Sequence, residues 1–370
     1  MNLWRYLAKR LLLMVPTVLG ILLVTFAVIQ FVPGGPVERM IAQLQGHNAD
    51  ATARFSGGGG SETANAAMNA TQMAGQQSTY RGAQGLDPEF VKELERMYGF
   101  DKPAYERFGI MIKNYLRFDL GTSYYRDIKV TDLILEKMPV SISLGLWSTL
   151  LIYLICIPLG IKKAVKDGQS FDIWTSAAIF IGYAIPSFLF AILLIILFAG
   201  GRYLDWFPLR GIISDDWQSF PWWKIALDYL WHMTLPVIAV VMSGFAGLTM
   251  LTKNSFLDEI NKQYVLTARA KGLTENRVLY GHIFRNAMLI VIAGFPSAFM
   301  HIFFTGSLLI EVIFSLDGLG LLGYESIINR DYPVVLGTLY IYALIGMVMT
   351  LLRDIIYVLV DPRINFESQT

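Results

Sequence analysis

Six long apolar blocks constrain this chain more than any other feature, because each is long enough to require a hydrocarbon environment. The first, Leu11–Val32, has 22 residues, roughly 33 Å as an α-helix against a bilayer core of about 30 Å. The others are Val140–Ile161, Ile173–Gly200, Met233–Leu251, Ala287–Ile310 and Val334–Val360. Blocks of this length predict an all-α polytopic membrane protein with about six transmembrane helices. Composition agrees: 54% of residues are hydrophobic and mean hydropathy is +0.48, more apolar than an ordinary soluble domain. The first block is too long for a typical signal-peptide core and lacks a small-x-small site before Pro33, so it reads as a retained span.

Charge sets the expected orientation. Arg5, Lys9 and Arg10 precede the first block. Lys162, Lys163 and Lys166 follow the second, and Lys253, Lys262, Arg269, Lys271, Arg277 and Arg285 lie between the fourth and fifth. These segments fall on one side, which the positive-inside rule makes cytoplasmic, together with both termini. The opposite loop, Gly201–His232, sets Arg202, Arg210 and Lys224 against Asp205, Asp215, Asp216 and Asp228. A net charge of +1 gives no reason to expect nucleic acid. The one cysteine, Cys156, lies in an apolar run and reads as an inert buried thiol.

Four regions follow: 1–32, an N-terminus and first span; 33–139, an outer region; 140–360, a five-helix core containing the loop 252–286; and 361–370, a cytoplasmic tail. Within the outer region, residues 45–85 are Gly-rich and lack apolar periodicity, as expected of a flexible insert. Asp87–Tyr98 predicts a helix capped by Asp87 and stopped by Gly99, and Tyr105–Phe118 predicts a second. Together they make a small cap. The many Trp, Tyr and Phe residues of Gly201–His232 read as an interfacial belt in preference to a stacking platform for bases or sugars. Pro16, Pro158, Pro186 and Pro296 lie in or near spans, as kinks that let helices move or as tolerated bends.

Between the fourth and fifth blocks lies a structured, basic segment, Asp258–Arg285. Val265, Ala268 and Gly272 share one helical face at i, i+3 and i+7. Arg269 and Lys271 place positive charge at the helix end, where the dipole favours it. Gly272 suits a left-handed stop, and Thr274 suits the cap of a second helix that has Glu275 and Asn276 in its first turn. The expected unit is a short helix, a sharp turn and a helix returning to the membrane. Its small-residue face favours contact with another protein's backbone over adsorption to lipid, which would call for large apolar side chains.

The run Tyr264-Val-x-Thr-Ala-Arg-Ala-Lys-Gly272, followed by His282-x-x-Arg285-Asn286-Ala287, resembles the coupling loop of peptide-type ABC importer permeases. Ala268 and Gly272 match the second Ala and the Gly of the general Glu-Ala-Ala-x-x-x-Gly pattern, while Leu266 and Thr267 occupy its first two positions, a departure shared with the peptide branch. Phe118-Asp-Leu-Gly-Thr-Ser123, Glu311-Val-Ile-Phe-Ser-Leu-Asp-Gly-Leu-Gly320 and Asp331-Tyr-Pro333 resemble further family segments. Asp317 stands where Pro is commoner, and Ile290 where many relatives have Pro. The Gly-rich insert and the run Gly145–Tyr153 look most like the Yej-type branch, associated with oligopeptides and the peptide-nucleotide antibiotic microcin C. The resemblance implies a type I importer fold with a cytoplasmic coupling helix and a small periplasmic cap, in a bacterial inner membrane. It implies that Tyr264, Val265, Thr267, Ala268, Arg269, Ala270, Lys271 and Gly272 dock on a separate ATPase subunit, with His282, Arg285 and Asn286 supporting the loop. Further implied partners are a second homologous permease, a periplasmic peptide-binding protein and membrane lipids. ATP and Mg would be bound by the ATPase, with no cofactor in this chain.

Catalytic motifs are missing from the sequence. It contains no Walker A, His-Glu-x-x-His or Gly-x-Ser-x-Gly pattern. His47, His232, His282 and His301 are too scattered to suggest a metal site. Glu311 is an intramembrane carboxylate, hence a functional candidate; Gly318 and Gly320 instead suggest that it bonds a tight local turn. Arg353 and Asp354 are expected near the cytoplasmic end of the last span, where snorkelling lowers their cost. The alternative function is a stand-alone proton-coupled transporter or channel, which would need ionisable residues deep in several spans.

Overall fold

The structure, a computed structural model, describes residues 3–31, 101–201, 203–304 and 308–360. The Gly-rich insert, the expected Asp87–Tyr98 helix with its Gly99 stop, and the tail lie outside these residues. Among the described residues the chain is helical, with one isolated β-bridge between Thr122 and Lys129. The helices are α1 (Leu3–Phe31), α2 (Ala104–Tyr115), α3 (Val130–Val165), α4 (Ser170–Ala184), α5 (Ser187–Phe198), α6 (Trp222–Ile260), α7 (Gln263–Ala270), α8 (Glu275–Val278), α9 (Phe284–Phe304), α10 (Leu308–Ile313), α11 (Leu319–Asn329) and α12 (Tyr332–Val360). A π-helical turn, Leu279–Ile283, links α8 to α9.

Among the described residues five helices are long and apolar enough to cross a bilayer, or six if the bent pair α4–α5 counts as one span. That pair turns by 93° at its break. Pro186 has no N–H to give, and its ring drives the preceding Ile185 to an extended conformation (φ −85°, ψ 119°), so the helix must stop there. Pro16 in α1, Pro158 in α3 and Pro236 in α6 lie inside continuous helices. Helices α3 and α6 start well before their apolar blocks, because polar turns outside the hydrocarbon remain helical. The outer helix expected at Tyr105–Phe118 ends at Tyr115, and Phe118 takes a left-handed conformation (φ 58°).

The chain divides into two compact units. One comprises Met1–Leu12, Lys137–Leu321 and Ile345–Thr370; the other comprises Leu13–Glu136 and Leu322–Leu344. In the first unit, one apolar core joins Val140 and Leu144 of α3 to Ala191 and Leu194 of α5, Met233 to Val241 of α6, and Ile310 of α10. A second core joins Ile161 and Ala164 of α3, Phe256 of α6, Val265 and Ala268 of α7, Val278 of α8, and Ala287 to Val291 of α9. Asp354 was expected to snorkel; it is buried and paired with Arg10 at 2.8 Å. A buried carboxylate needs such a partner.

In the other unit, the segment after α2 folds onto the start of α12. The Ser123 hydroxyl donates to Asp331 Oδ2 (2.5 Å), and the Tyr124 N–H donates to Asp331 Oδ1 (3.1 Å). Two sequence motifs far apart in the chain are thereby one structural feature. Tyr340 packs its ring 5.1 Å from that of Tyr115 and donates its hydroxyl to the Tyr115 carbonyl (3.2 Å). Arg126 pairs with Glu325 at 2.6 Å. Gly337 is required by close approach, since a Cβ there would sit 2.6 Å from Val130 Cγ1.

Candidate functional site

The segment from Gln263 to Phe284 forms a compact hairpin. Helix α7 ends in a Schellman motif: the Leu273 N–H reaches the Ala268 carbonyl (3.4 Å) and the Gly272 N–H reaches the Arg269 carbonyl (2.9 Å). Gly272 takes the left-handed conformation this requires (φ 79°). Thr274 occupies the N-cap position of α8, but its side chain makes no capping bond. Across the turn, Arg269 Nε and one terminal nitrogen each donate to a separate oxygen of Glu275 at 3.0 Å, a bidentate clamp between the helices.

The small face of α7 points into its own chain. Val265 is fully buried and Ala268 nearly so, against Phe256, Val278 and Ile283. The periodicity was legible; Val265 and Ala268 are packed into the chain's own core, while Gly272, on the same face in the sequence reading, is exposed. Through this face α7 packs on α8 and shares one apolar core with α6 and α9. The exposed face carries Leu266 (60% exposed), Thr267, Arg269, Ala270, Lys271 and Gly272.

Tyr264 anchors the start of α7. Its hydroxyl donates to Glu259 Oε2 (2.7 Å), the Lys262 ammonium donates to Glu259 Oε1, and the Asn286 side chain lies beside both Glu259 and Tyr264. Burial, then the Glu259 carboxylate, pushes the Tyr264 phenol above its ordinary pKa, so it stays a donor. His282, on the π-helical turn, and Arg285 are exposed beside the hairpin. The Ser255 hydroxyl joins α6 to the Ala287 carbonyl of α9 (2.6 Å).

Two lysines that sequence reading took as topology signals, Lys163 and Lys253, belong to one network. The Lys163 ammonium is fully buried and contacts Asp172 Oδ1 (2.8 Å), the Asp172 carbonyl (2.8 Å), Thr175 Oγ1 (2.9 Å) and Ser176 Oγ (2.7 Å). Lys253 meets Asp172 Oδ2 and Asp167 Oδ1, both at 2.7 Å. The available signal was the close spacing of Lys162, Lys163, Lys166, Asp167 and Asp172; which of them pair is a matter of tertiary packing.

A cavity of about 750 Å³ opens between α3, α4, α5, α6 and α9. Hydroxyl groups of Ser148, Thr149, Tyr153, Tyr183, Ser187 and Ser243 line it among apolar side chains, and Gly145, Gly244, Gly247 and Gly294 expose backbone. Its described lining has no Asp, Glu, His, Lys or Arg. Such a wall can hydrogen-bond a polar solute without a fixed charge to hold it. Sequence reading had not identified these residues, because scattered Ser, Thr and Gly in apolar helices carry no motif.

Glu311 sits away from this lining. It is fully buried, accepting from the Leu321 N–H (2.8 Å) and the Ser141 hydroxyl (3.3 Å), with Gly318 and Gly320 against its carboxylate. The local-turn reading is the correct one. Asp317 forms an ion pair with Lys137.

Residues 156–366 match the family described as binding-protein-dependent transport system inner membrane component. The chain is 60% identical to the peptidoglycan transport system permease protein YejB of Agrobacterium fabrum, over 98% of this chain and 99% of that protein. It is 57% identical to the inner membrane ABC transporter permease protein YejB of Escherichia coli O157:H7, over the same shares. At 32% identity it matches the oligopeptide transport system permease protein AppB of Bacillus subtilis, again over 98% and 99%. These likenesses bear out the resemblance first carried by residues 264–272, and the chain belongs to the family of binding-protein-dependent transport system inner membrane components.

Proposed function

We propose that this chain is the permease subunit of an ATP-driven ABC importer that carries peptides from the periplasm to the cytoplasm. The observation that carries the reading is the hairpin. Its inner face is committed to its own core, its turn is clamped by Arg269 and Glu275, and its outer face is left as a shaped, basic surface. Leu266, Thr267, Arg269, Ala270, Lys271 and Gly272 are the docking surface for a separate ATPase subunit. Tyr264, Val265 and Ala268 hold that surface in place, Asn286 braces it, and His282 and Arg285 flank it. The ATPase holds ATP and Mg; this chain supplies the path.

The cavity is this chain's share of that path. Hydroxyls and backbone suit passage of peptide groups, and the described lining holds no Asp, Glu, His, Lys or Arg of the kind a proton relay uses. The relatives' names speak of peptidoglycan and oligopeptide transport, and both point to peptide-bearing solutes. Peptide conjugates of the microcin C kind are included on the strength of the Yej-type resemblance. A second homologous permease and a periplasmic peptide-binding protein complete the assembly, in a bacterial inner membrane with both termini cytoplasmic.

The test is reconstitution in liposomes. Uptake of labelled peptide is expected only with the ATPase, the second permease, the binding protein and ATP together. Uptake by this chain alone under a proton gradient would overturn the proposal.

A further inference from the structure

The network around Asp172 joins three helices through one carboxylate. Oδ1 faces Lys163 of α3, Oδ2 faces Lys253 of α6, and Asp172 itself lies in the first turn of α4. All four Lys163 contacts fall on α4, at Asp172, Thr175 and Ser176. Separating α3 from α4 would leave a fully buried ammonium without partners, which is strongly unfavourable. Beside the network, α3 and α6 touch almost backbone to backbone: a Cβ on Gly160 would lie 2.6 Å from Thr252 Cβ. An apolar seam can slide by a turn, whereas a carboxylate shared by two ammonium groups fixes both register and rotation.

The place of this junction in the chain matters. Lys253 lies two turns before the end of α6, and the hairpin begins immediately after. Ile161 and Ala164 of α3 and Phe256 of α6 share one core with Val265 and Ala268 of α7. At its far end, α4 delivers Tyr183 to the cavity wall, with Ser187 just beyond the 93° bend.

We infer that Lys163, Asp172 and Lys253 form a positioning device for transport. They make α4 move as one body with α3 and the cytoplasmic half of α6, so that displacement of the hairpin reaches the cavity wall at Tyr183 and Ser187. The three residues touch no substrate; they act through the helices they join. The inference rests on the proposed role of the hairpin.

Two measurements test it on the complete assembled transporter. In the first, spin labels are placed on α4 at Trp174→Cys (75% exposed) and on α6 at the exposed Asn254→Cys. The distance between them is expected to be the same in nucleotide-free and ATP-bound states, and to split or broaden in a Lys253→Met background. A distance that changes between nucleotide states with Lys253 intact would overturn the device whatever the solute carried. In the second, peptide taken up per ATP hydrolysed is compared across variants. Lys253→Met is expected to lower this ratio roughly ten-fold, within the range of coupling between distant sites, while Lys253→Arg retains it. An unchanged ratio in Lys253→Met, or parallel loss of ATPase activity, uptake and assembled complex, would reduce the cluster to a structural support and overturn the inference. A wild-type complex with no ATP-dependent peptide uptake but an invariant α4–α6 distance would refute the proposed function and leave the device standing.

Discussion

Arg269 donates two parallel hydrogen bonds to Glu275 across the turn of the hairpin between α6 and α9, each 3.0 Å long. Both side chains are substantially exposed, so the pair is worth only about 0–1 kcal/mol in stability. Its consequence is geometric: the guanidinium is held flat against the turn instead of sampling solvent. Glu275→Gln is expected to leave thermal stability nearly unchanged and to weaken ATPase docking a few-fold. Arg269→Glu, which sets two carboxylates against each other on the docking face, is expected to abolish docking. Co-purification of the ATPase, read beside a melting curve, separates the two effects.

The two faces of α7 make opposite predictions. Ala268 is packed into the protein's own core, so Ala268→Leu overfills a closed site at a cost of about 1–3 kcal/mol and should lower the melting temperature before any partner is added. Leu266 projects outward, so Leu266→Asp should melt like wild type and fail to retain the ATPase. If Leu266→Asp still co-purifies with the ATPase at wild-type yield, the outward face is not the docking surface.

Glu311 and Gly318 should show strong coupling. Removing the carboxylate with Glu311→Ala strands the Leu321 N–H, at about 1–3 kcal/mol. Adding a methyl with Gly318→Ala would place Cβ 2.6 Å from the Glu311 carboxyl carbon, so something must shift. In the double variant the space left by the carboxylate accepts the methyl. The combined loss of stability is therefore expected to be smaller than the sum of the single losses, a non-additivity that a double-mutant cycle in detergent measures directly. Additive losses would mean that the two sites are independent.

What the sequence disclosed, and what it withheld, follows from the range of each interaction. Apolar blocks reveal spans because the bilayer acts on each block separately. The hairpin was legible for a similar reason: the helix, its Gly272 stop and the turn are local chemistry. The direction of its small face was not, since Ala268 serves equally well against a neighbouring protein or against Phe256 of its own chain. Pro186 breaks its span while Pro16 and Pro158 do not, although all three carry the same local defect; neighbouring helices decide whether a helix continues through it. Lys163 looked like an ordinary cytoplasmic charge, and only packing shows that it is fully buried against α4. Family motifs supplied one long-range relation unaided by physics, because Phe118–Ser123 and Asp331–Pro333 were recognised separately and prove to be in contact.

That last contact carries a pH dependence. Burial raises the Asp331 carboxyl above its ordinary pKa, outweighing the Ser123 hydroxyl and the Tyr124 N–H that favour the charged form. An acid whose folded pKa lies above its unfolded one binds its proton more tightly when folded. Between the two values the folded state carries more protons than the unfolded state, so stability from this group falls as pH rises through that window and gains as pH drops through it. Mild acidification should therefore tighten the junction between Ser123 and Asp331, opposite to the behaviour of a salt-bridged carboxylate. Asp331→Asn cannot ionise and keeps an oxygen to accept from Ser123 or Tyr124. It is expected to remove this component of the slope while remaining folded. The measurement is the protease resistance of the Ala104–Val130 region across the acidic range, in wild type and in Asp331→Asn. Identical pH profiles for the two would show that this junction takes no stability from the proton.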